Sequence, residues 1–135
     1  LALQPRLLLD THILVRWLVD AKKLSKEQTR VLDAAVKRTE PVGISAITPL
    51  EIALLVDEGK LKLKGSLEDF FDAIQGTPAI RLFPLTYEIA AELPAVAILR
   101  DPADRTIAAT ARVHRLTLLT SDHRIVDSNL VKTID

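Results

Sequence analysis

Five acidic residues stand where this sequence turns from apolar runs to helix-forming ones. Asp10 closes Leu7-Leu8-Leu9, and Glu51 lies just past Val42-Gly43-Ile44-Ser45. Asp101 and Asp104 precede Thr106-Ile107-Ala108-Ala109, and Asp122 follows Leu116-Thr117-Leu118-Leu119-Thr120. Ligand sites in open α/β sheets form outside the carboxyl ends of the strands. These carboxylates, distant in sequence, are therefore expected to meet at one edge. At ~5 Å and an effective dielectric of ~20, each ionised pair repels by roughly 3 kcal/mol. A hard divalent cation, Mg²⁺ or Mn²⁺, reverses that balance because it favours oxygen ligands. Zinc fits less well: cysteine is absent, and His12, His114 and His123 lack ligand-like spacing. Metal held by carboxylates suits phosphate-ester hydrolysis, since the ion lowers the pKa of a bound water and neutralises charge on the attacked phosphate.

Each acid also has a structural role open to it. Asp10 and Asp122 suit the cap of the helix that follows. Asp101 before Pro102 is a cap signature, and Asp104 sits favourably in a first turn. Glu51 is harder to account for that way. It is the only charged residue in Ala46–Val56, a helix apolar on nearly every side and so expected to be buried. A carboxylate there must reach a cation, a donor or the rim of a pocket. His12 and His123 flank the acids and are expected to serve in local hydrogen bonding. Arg16, Arg100, Arg105 and Arg124 are candidate phosphate contacts, with ion pairing to the same acids as the alternative. Thr11, Ser45, Thr120 and Ser121 suit either orientation of a water or carboxylate, or capping at strand ends.

The elements that must carry these residues follow from local pattern. Strands are predicted at Arg6–Asp10, Val42–Ser45, Ile80–Leu85, Leu116–Thr120 and Val131–Ile134, with Pro84 marking an end or an edge. Helices are predicted at Thr11–Val19, with Ile13, Leu14, Trp17 and Leu18 on one side, and after Ser25, where Gln28 completes a capping box. Others span about Ala46 to Glu58, stopped by Gly59, and Leu67–Gln75, capped by Ser66. A short helix at Tyr87–Leu93 is closed by Pro94, a longer one runs from Asp101-Pro102 to about His114, and a turn of helix follows Asp122. Alternating strands and helices favour parallel pairing with helices on both faces. The fold expected for residues 1–135, a single domain, is a three-layer α/β/α sandwich with a parallel sheet of four or five strands.

Composition narrows the class. Hydrophobic residues make up 48% of 135 and charged ones 27%, a globular balance. No apolar stretch approaches the ~20 residues of a membrane span. Leu1-Ala2-Leu3-Gln4-Pro5-Arg6 lacks a signal-peptide pattern, so a cytoplasmic protein without membrane association is expected. The formal net charge is zero, which argues against a broadly basic nucleic-acid coat. Its distribution is uneven: residues 1–67 hold 11 basic and 8 acidic side chains, residues 68–135 hold 7 and 10. Lys22, Lys23 and Lys26 form one basic group and Lys60, Lys62 and Lys64 another, so a basic strip and an acidic pocket share the molecule. The high apolar content also predicts surface that another chain covers.

Four segments together resemble the PIN-domain family, most closely its VapC-like toxin ribonucleases. They are Leu7-Leu8-Leu9-Asp10-Thr11-His12, Ile44–Ala53 around Glu51, Asp101–Ala111 and Leu118-Leu119-Thr120-Ser121-Asp122. Order and spacing fit from about residue 7 to 134. The resemblance implies metal ligation by Asp10, Glu51, Asp104 and Asp122, with Asp101 auxiliary. It also implies Mg²⁺- or Mn²⁺-dependent endonucleolytic cleavage of RNA, a homodimer, and a VapB-like antitoxin that wraps the toxin and blocks its pocket. Thr11, Ser45, Arg105, Thr120, Ser121 and Arg124 are the residues expected to meet substrate. Related chains often carry histidine just before the Asp-Pro segment, where this one has Leu99-Arg100. Two other readings compete: a PIN-like scaffold that binds RNA or protein without cutting, and a receiver-type signalling domain. The second wants an early pair of acids ending the first strand, which is missing.

Overall fold

Three consecutive leucines make the central strand, β1 (Leu7–Leu9), and all three are buried. Side chains alternate across a strand, so Leu7 and Leu9 enter one core and Leu8 the other. The computed structural model describes residues 3–135; Leu1 and Ala2, part of the N-terminal stretch read above, lie outside the described residues. Four further strands are β2 (Val42–Ser45), β3 (Ile80–Phe83), β4 (Thr117–Leu119) and β5 (Thr133–Ile134). The order across the sheet is β3-β2-β1-β4-β5 and every pairing is parallel. Such neighbours need crossovers, and seven α-helices among the described residues supply them: α1 (Thr11–Val19), α2 (Lys26–Lys37), α3 (Ile47–Asp57), α4 (Leu67–Gln75), α5 (Tyr87–Glu92), α6 (Pro102–His114) and α7 (His123–Val126). One face of the sheet meets Ile13 and Leu14 of α1, Leu32 and Ala35 of α2, and Ile74 of α4. The other meets Ile89 of α5, Ile107 to Ala109 of α6 and Ile125 of α7. This is the expected three-layer sandwich, with five strands.

Local chemistry sets the helix boundaries. Ser25 accepts from the Gln28 backbone at 3.0 Å while the Gln28 side chain takes the Ser25 N–H at 3.0 Å, the reciprocal capping box. Ser66 caps α4, and Gly59 leaves α3 with φ +73°. Gly43 serves packing instead: a Cβ there would collide with the Phe83 ring on the neighbouring strand.

Three expectations need correction. Leu18 does not join the buried side of α1; it is exposed, because the core stripe is used up by Ile13 and Leu14 while Trp17 is half-buried. The apolar helix α3 is not buried all round. Only Thr48 and Ile52 are buried, and Leu50 and Leu54 stand 55% and 49% exposed, since sheet and neighbours reach one side of it alone. Pro94 does not stop the chain's helical course either. A 3₁₀ segment over Leu93–Leu99, kinked at Val96, continues it. Proline lacks only a donor that a first turn leaves free.

Candidate active site

The acids lie toward the carboxyl edge of the sheet because each directly follows a strand, or caps or sits in the first two turns of a helix that starts there. Asp10 stands between β1 and α1, its backbone N–H donating to the Leu119 carbonyl of β4 at 2.9 Å. Its side chain is buried and each oxygen accepts one hydrogen bond: Oδ1 from the Thr11 N–H at 2.9 Å and Oδ2 from the Thr120 hydroxyl at 2.7 Å. Asp101 caps α6 through the Ala103 N–H, and Asp122 caps α7 through the Arg124 N–H. The capping roles open to these three acids are thus occupied, at the same edge where the acids gather.

Glu51 reaches a donor. Its carboxylate accepts the Thr11 hydroxyl, and Thr11 Oγ1 lies 2.9 Å from Thr48 Oγ1. Thr11 has one hydroxyl proton, and with that proton on Glu51 the Thr48 hydroxyl donates in turn. The relay Thr48 to Thr11 to Glu51 is built on buried threonines, and it satisfies a carboxylate that α3 would otherwise strand. Thr48 went unnoticed in the sequence, although it lies one turn before Glu51 on the same helix face.

The acids influence one another. Asp104 is raised from 3.8 to about 7, first by burial and then by Asp101, Asp10 and Asp122. Burial also raises Glu51, opposed by the Thr11 hydrogen bond and reinforced by Asp10 and Asp101. Asp122 is lowered instead, because the Arg124 guanidinium grips it. Nε lies 3.1 Å from Oδ1 and Nη2 2.7 Å from Oδ2, while the same Nη2 stands 3.5 Å from Asp104 Oδ2.

An all-oxygen set of carboxylates matches a hard divalent cation in kind. As they stand, the side chains do not converge. Among the described residues no group of three or more acids or histidines is drawn close enough to hold an ion. Each of three acids is instead held by groups of the chain itself: Thr120 and the Thr11 N–H hold Asp10, Thr11 holds Glu51, and Arg124 holds Asp122.

The other predicted residues divide. Thr11 and Thr120 touch the acids directly, and Thr120 Oγ1 also accepts the Asp122 N–H at 3.0 Å. Ser121 Oγ is taken by Arg16 at 3.3 Å and by Gln28 at 3.2 Å. Ser45 is buried and caps the turn into α3 through the Ile47 N–H. Arg105 donates through Nη2 to the Leu93 carbonyl at 2.9 Å and keeps a buried Nε that has no partner. His12 Nε2 accepts the Ser121 N–H at 2.9 Å. That bond leaves Nδ1 to carry the proton, 3.6 Å from Asp10 Oδ2, and burial lowers its pKa. His123 pairs with Asp135 at 3.1 Å. Beside the acids a cleft of about 470 Å³ is lined by Ile98, Leu99, Arg100, Asp101, Arg124 and Asp127. Arg100 has φ +64° there, a strained conformation for a side chain-bearing residue, immediately before the Asp101 cap.

The chain is similar to known proteins over most of its length. The PIN domain family matches residues 7–128. Ribonuclease VapC22 of Mycobacterium tuberculosis (strain ATCC 25618 / H37Rv) is 27% identical over 119 residues, covering 87% of this chain and 88% of that one. Among solved structures, FitAcB from Neisseria gonorrhoeae superposes with a TM-score of 0.67 at 25% identity, covering 96% of both chains. VapBC2 from Rickettsia felis, bound to a DNA fragment from its promoter, shares the fold, with a TM-score of 0.67 at 18% identity over 95% of this chain and 96% of that one.

Proposed function

The chain belongs to the PIN-domain family, and from that premise we propose that it is a divalent-metal-dependent endoribonuclease, the toxin of a toxin–antitoxin pair. The observation that carries the reading is that Asp10, Glu51, Asp104 and Asp122, from four separate segments, lie toward one sheet edge, where burial and then Asp101, Asp10 and Asp122 raise Asp104 and burial, then Asp10 and Asp101, raise Glu51. These four are the ligands for Mg²⁺ or Mn²⁺, with Asp101 supporting from the α6 cap. When bound, the cation supplies a lowered pKa for attacking water and charge neutralisation at the phosphodiester.

The chain's own residues do the rest. Thr120 and the Thr11 N–H fix the Asp10 carboxylate, and the threonine relay fixes Glu51, so two ligand positions are set by buried hydroxyls rather than by solvent. Arg100 and Arg124 line the adjoining cleft and suit the phosphates of an RNA strand passing over the acids. Lys60, Lys62 and Lys64, all exposed between α3 and α4, are further candidate contacts for phosphates. Hydrolysis by water leaves a 5′-phosphate and a 3′-hydroxyl. The exposed Leu50, Leu54, Leu82, Leu85 and Tyr87 are apolar surface for the second copy of a homodimer and for a VapB-like antitoxin.

The test is cleavage of a structured RNA in chelator and in Mn²⁺, with the parent and with Asp104→Asn. The reading expects Mn²⁺-dependent cleavage by the parent and a loss of two or more orders of magnitude in the variant. A folded parent that binds RNA and never cuts it in Mn²⁺ or Mg²⁺ would establish the non-cleaving scaffold instead.

A further inference from the structure

Among the described residues, one cation is paired with two of the site's acids, and it belongs to the chain itself. Arg124 closes a fork on Asp122 and reaches Asp104 with the same nitrogen. Both Asp122 oxygens are engaged: Oδ1 takes the Arg124 backbone N–H at 3.0 Å and Nε at 3.1 Å, Oδ2 takes Nη2 at 2.7 Å. The two carboxylates are largely sheltered, 19% and 16% exposed, whereas the Arg124 side chain is 73% exposed. Nothing in the core depends on where that guanidinium lies.

We propose that Arg124 is a tethered counter-ion that competes with the divalent cation for Asp122 and Asp104, and that it must swing out of the acidic pocket for the metal to load. The proposal rests on the metal-binding reading above. A guanidinium fork offsets the repulsion between Asp122 and Asp104 while no metal is bound, and it uses the lone pairs a metal needs. Exposed ion pairs are weak, so the latch is displaceable. Arg124 also lines the cleft beside Asp101. Released, the side chain stays at the rim of the cleft, free to take a phosphate, so one residue serves the metal-free pocket and then the substrate.

The experiment is calorimetric titration of the full chain with Mn²⁺ alone, at fixed salt and neutral pH, for the parent, Arg124→Gln and Arg124→Lys. Removing a unit charge about 5 Å from a divalent ion in a water-like medium is worth roughly tenfold in affinity. Allowing for salt screening, Arg124→Gln should bind Mn²⁺ at least about fivefold more tightly than the parent. Arg124→Lys keeps the charge without the fork and should fall between them. Its RNA affinity should stay near parental, whereas Arg124→Gln should bind RNA more weakly. Loss of a merely structural prop would weaken the metal, not tighten it. If the parent binds Mn²⁺ and Arg124→Gln binds it equally or less well, the competition is refuted and the metal site stands. If neither parent nor variants take up Mn²⁺, the metal reading falls and the competition with it.

Discussion

The acid with the clearest energetic signature is Asp104, and replacing it by asparagine isolates the cost of assembling the site. Its carboxyl is raised from 3.8 to about 7, equivalent to roughly 4 kcal/mol against the ionised form. The side chain is only 16% exposed, so solvent screening trims that figure modestly, to about 2–4 kcal/mol. The folded value lies above the unfolded one. Ionisation of this group therefore costs nothing below about pH 4, lowers stability progressively as pH rises toward 7, and costs its full amount above that. An asparagine side chain does not titrate. In chelator at pH 8, Asp104→Asn should unfold above the parent by about 2–4 kcal/mol, roughly 5–15 °C for a chain of this length. At pH 4 the two should nearly coincide. Added Mn²⁺ should then close the gap, since metal at a thousand times its Kd stabilises the protein that binds it by about 4.1 kcal/mol and the variant has lost a ligand. Thermal unfolding by circular dichroism at the two pH values, with and without Mn²⁺, reads all of this. A variant that melts at or below the parent at pH 8 in chelator would refute the claim that burial and the neighbouring acids disfavour the ionised Asp104.

Asp10→Asn should behave differently. Thr120 donates its hydroxyl proton to Asp10 Oδ2 and uses its oxygen to accept the Asp122 N–H, so an amide nitrogen there meets a donor. Chemical denaturation in chelator should show a loss of about 1–3 kcal/mol, and a variant as stable as the parent would count against the hydroxyl assignment. Gly43→Ala would push a methyl into the Phe83 ring, and equilibrium unfolding should fall by about 1–3 kcal/mol without change in Mn²⁺ affinity. Reversing the charges of Lys60, Lys62 and Lys64 should weaken RNA binding and flatten its salt dependence while leaving Mn²⁺ affinity nearly unchanged. Filter binding across a salt series measures it, and an unaltered slope removes these lysines from the RNA path.

Which parts of the site were legible in the sequence follows from the range of the interactions involved. Asp101-Pro102 and the Ser25 and Gln28 pair signal helix starts through bonds that span two or three residues, and α6 and α2 begin as those signals say. Leu7-Leu8-Leu9 reads as a strand covered on both faces because three apolar side chains in alternation need two cores. The acids' common edge follows from parallel topology alone. Their detailed engagement does not, because it is settled across the sheet. The partner of Asp10 is Thr120, 110 residues away, and that of Glu51 is Thr11, 40 residues away. The hydropathy of α3 likewise says that its surface is apolar, not which neighbours reach it, and so Leu50 and Leu54 stay exposed although the pattern predicts burial. Arg124 is the instructive case. Its spacing from Asp122 is local and visible, but its reach to Asp104 exists only because α7 and the first turn of α6 meet at the carboxyl edge. An arginine two residues after an acid is ordinary on any surface. Set between two sheltered carboxylates that repel each other, the same residue supplies the positive charge the pocket demands, which is why metal affinity, rather than fold stability, is the property that should register its removal.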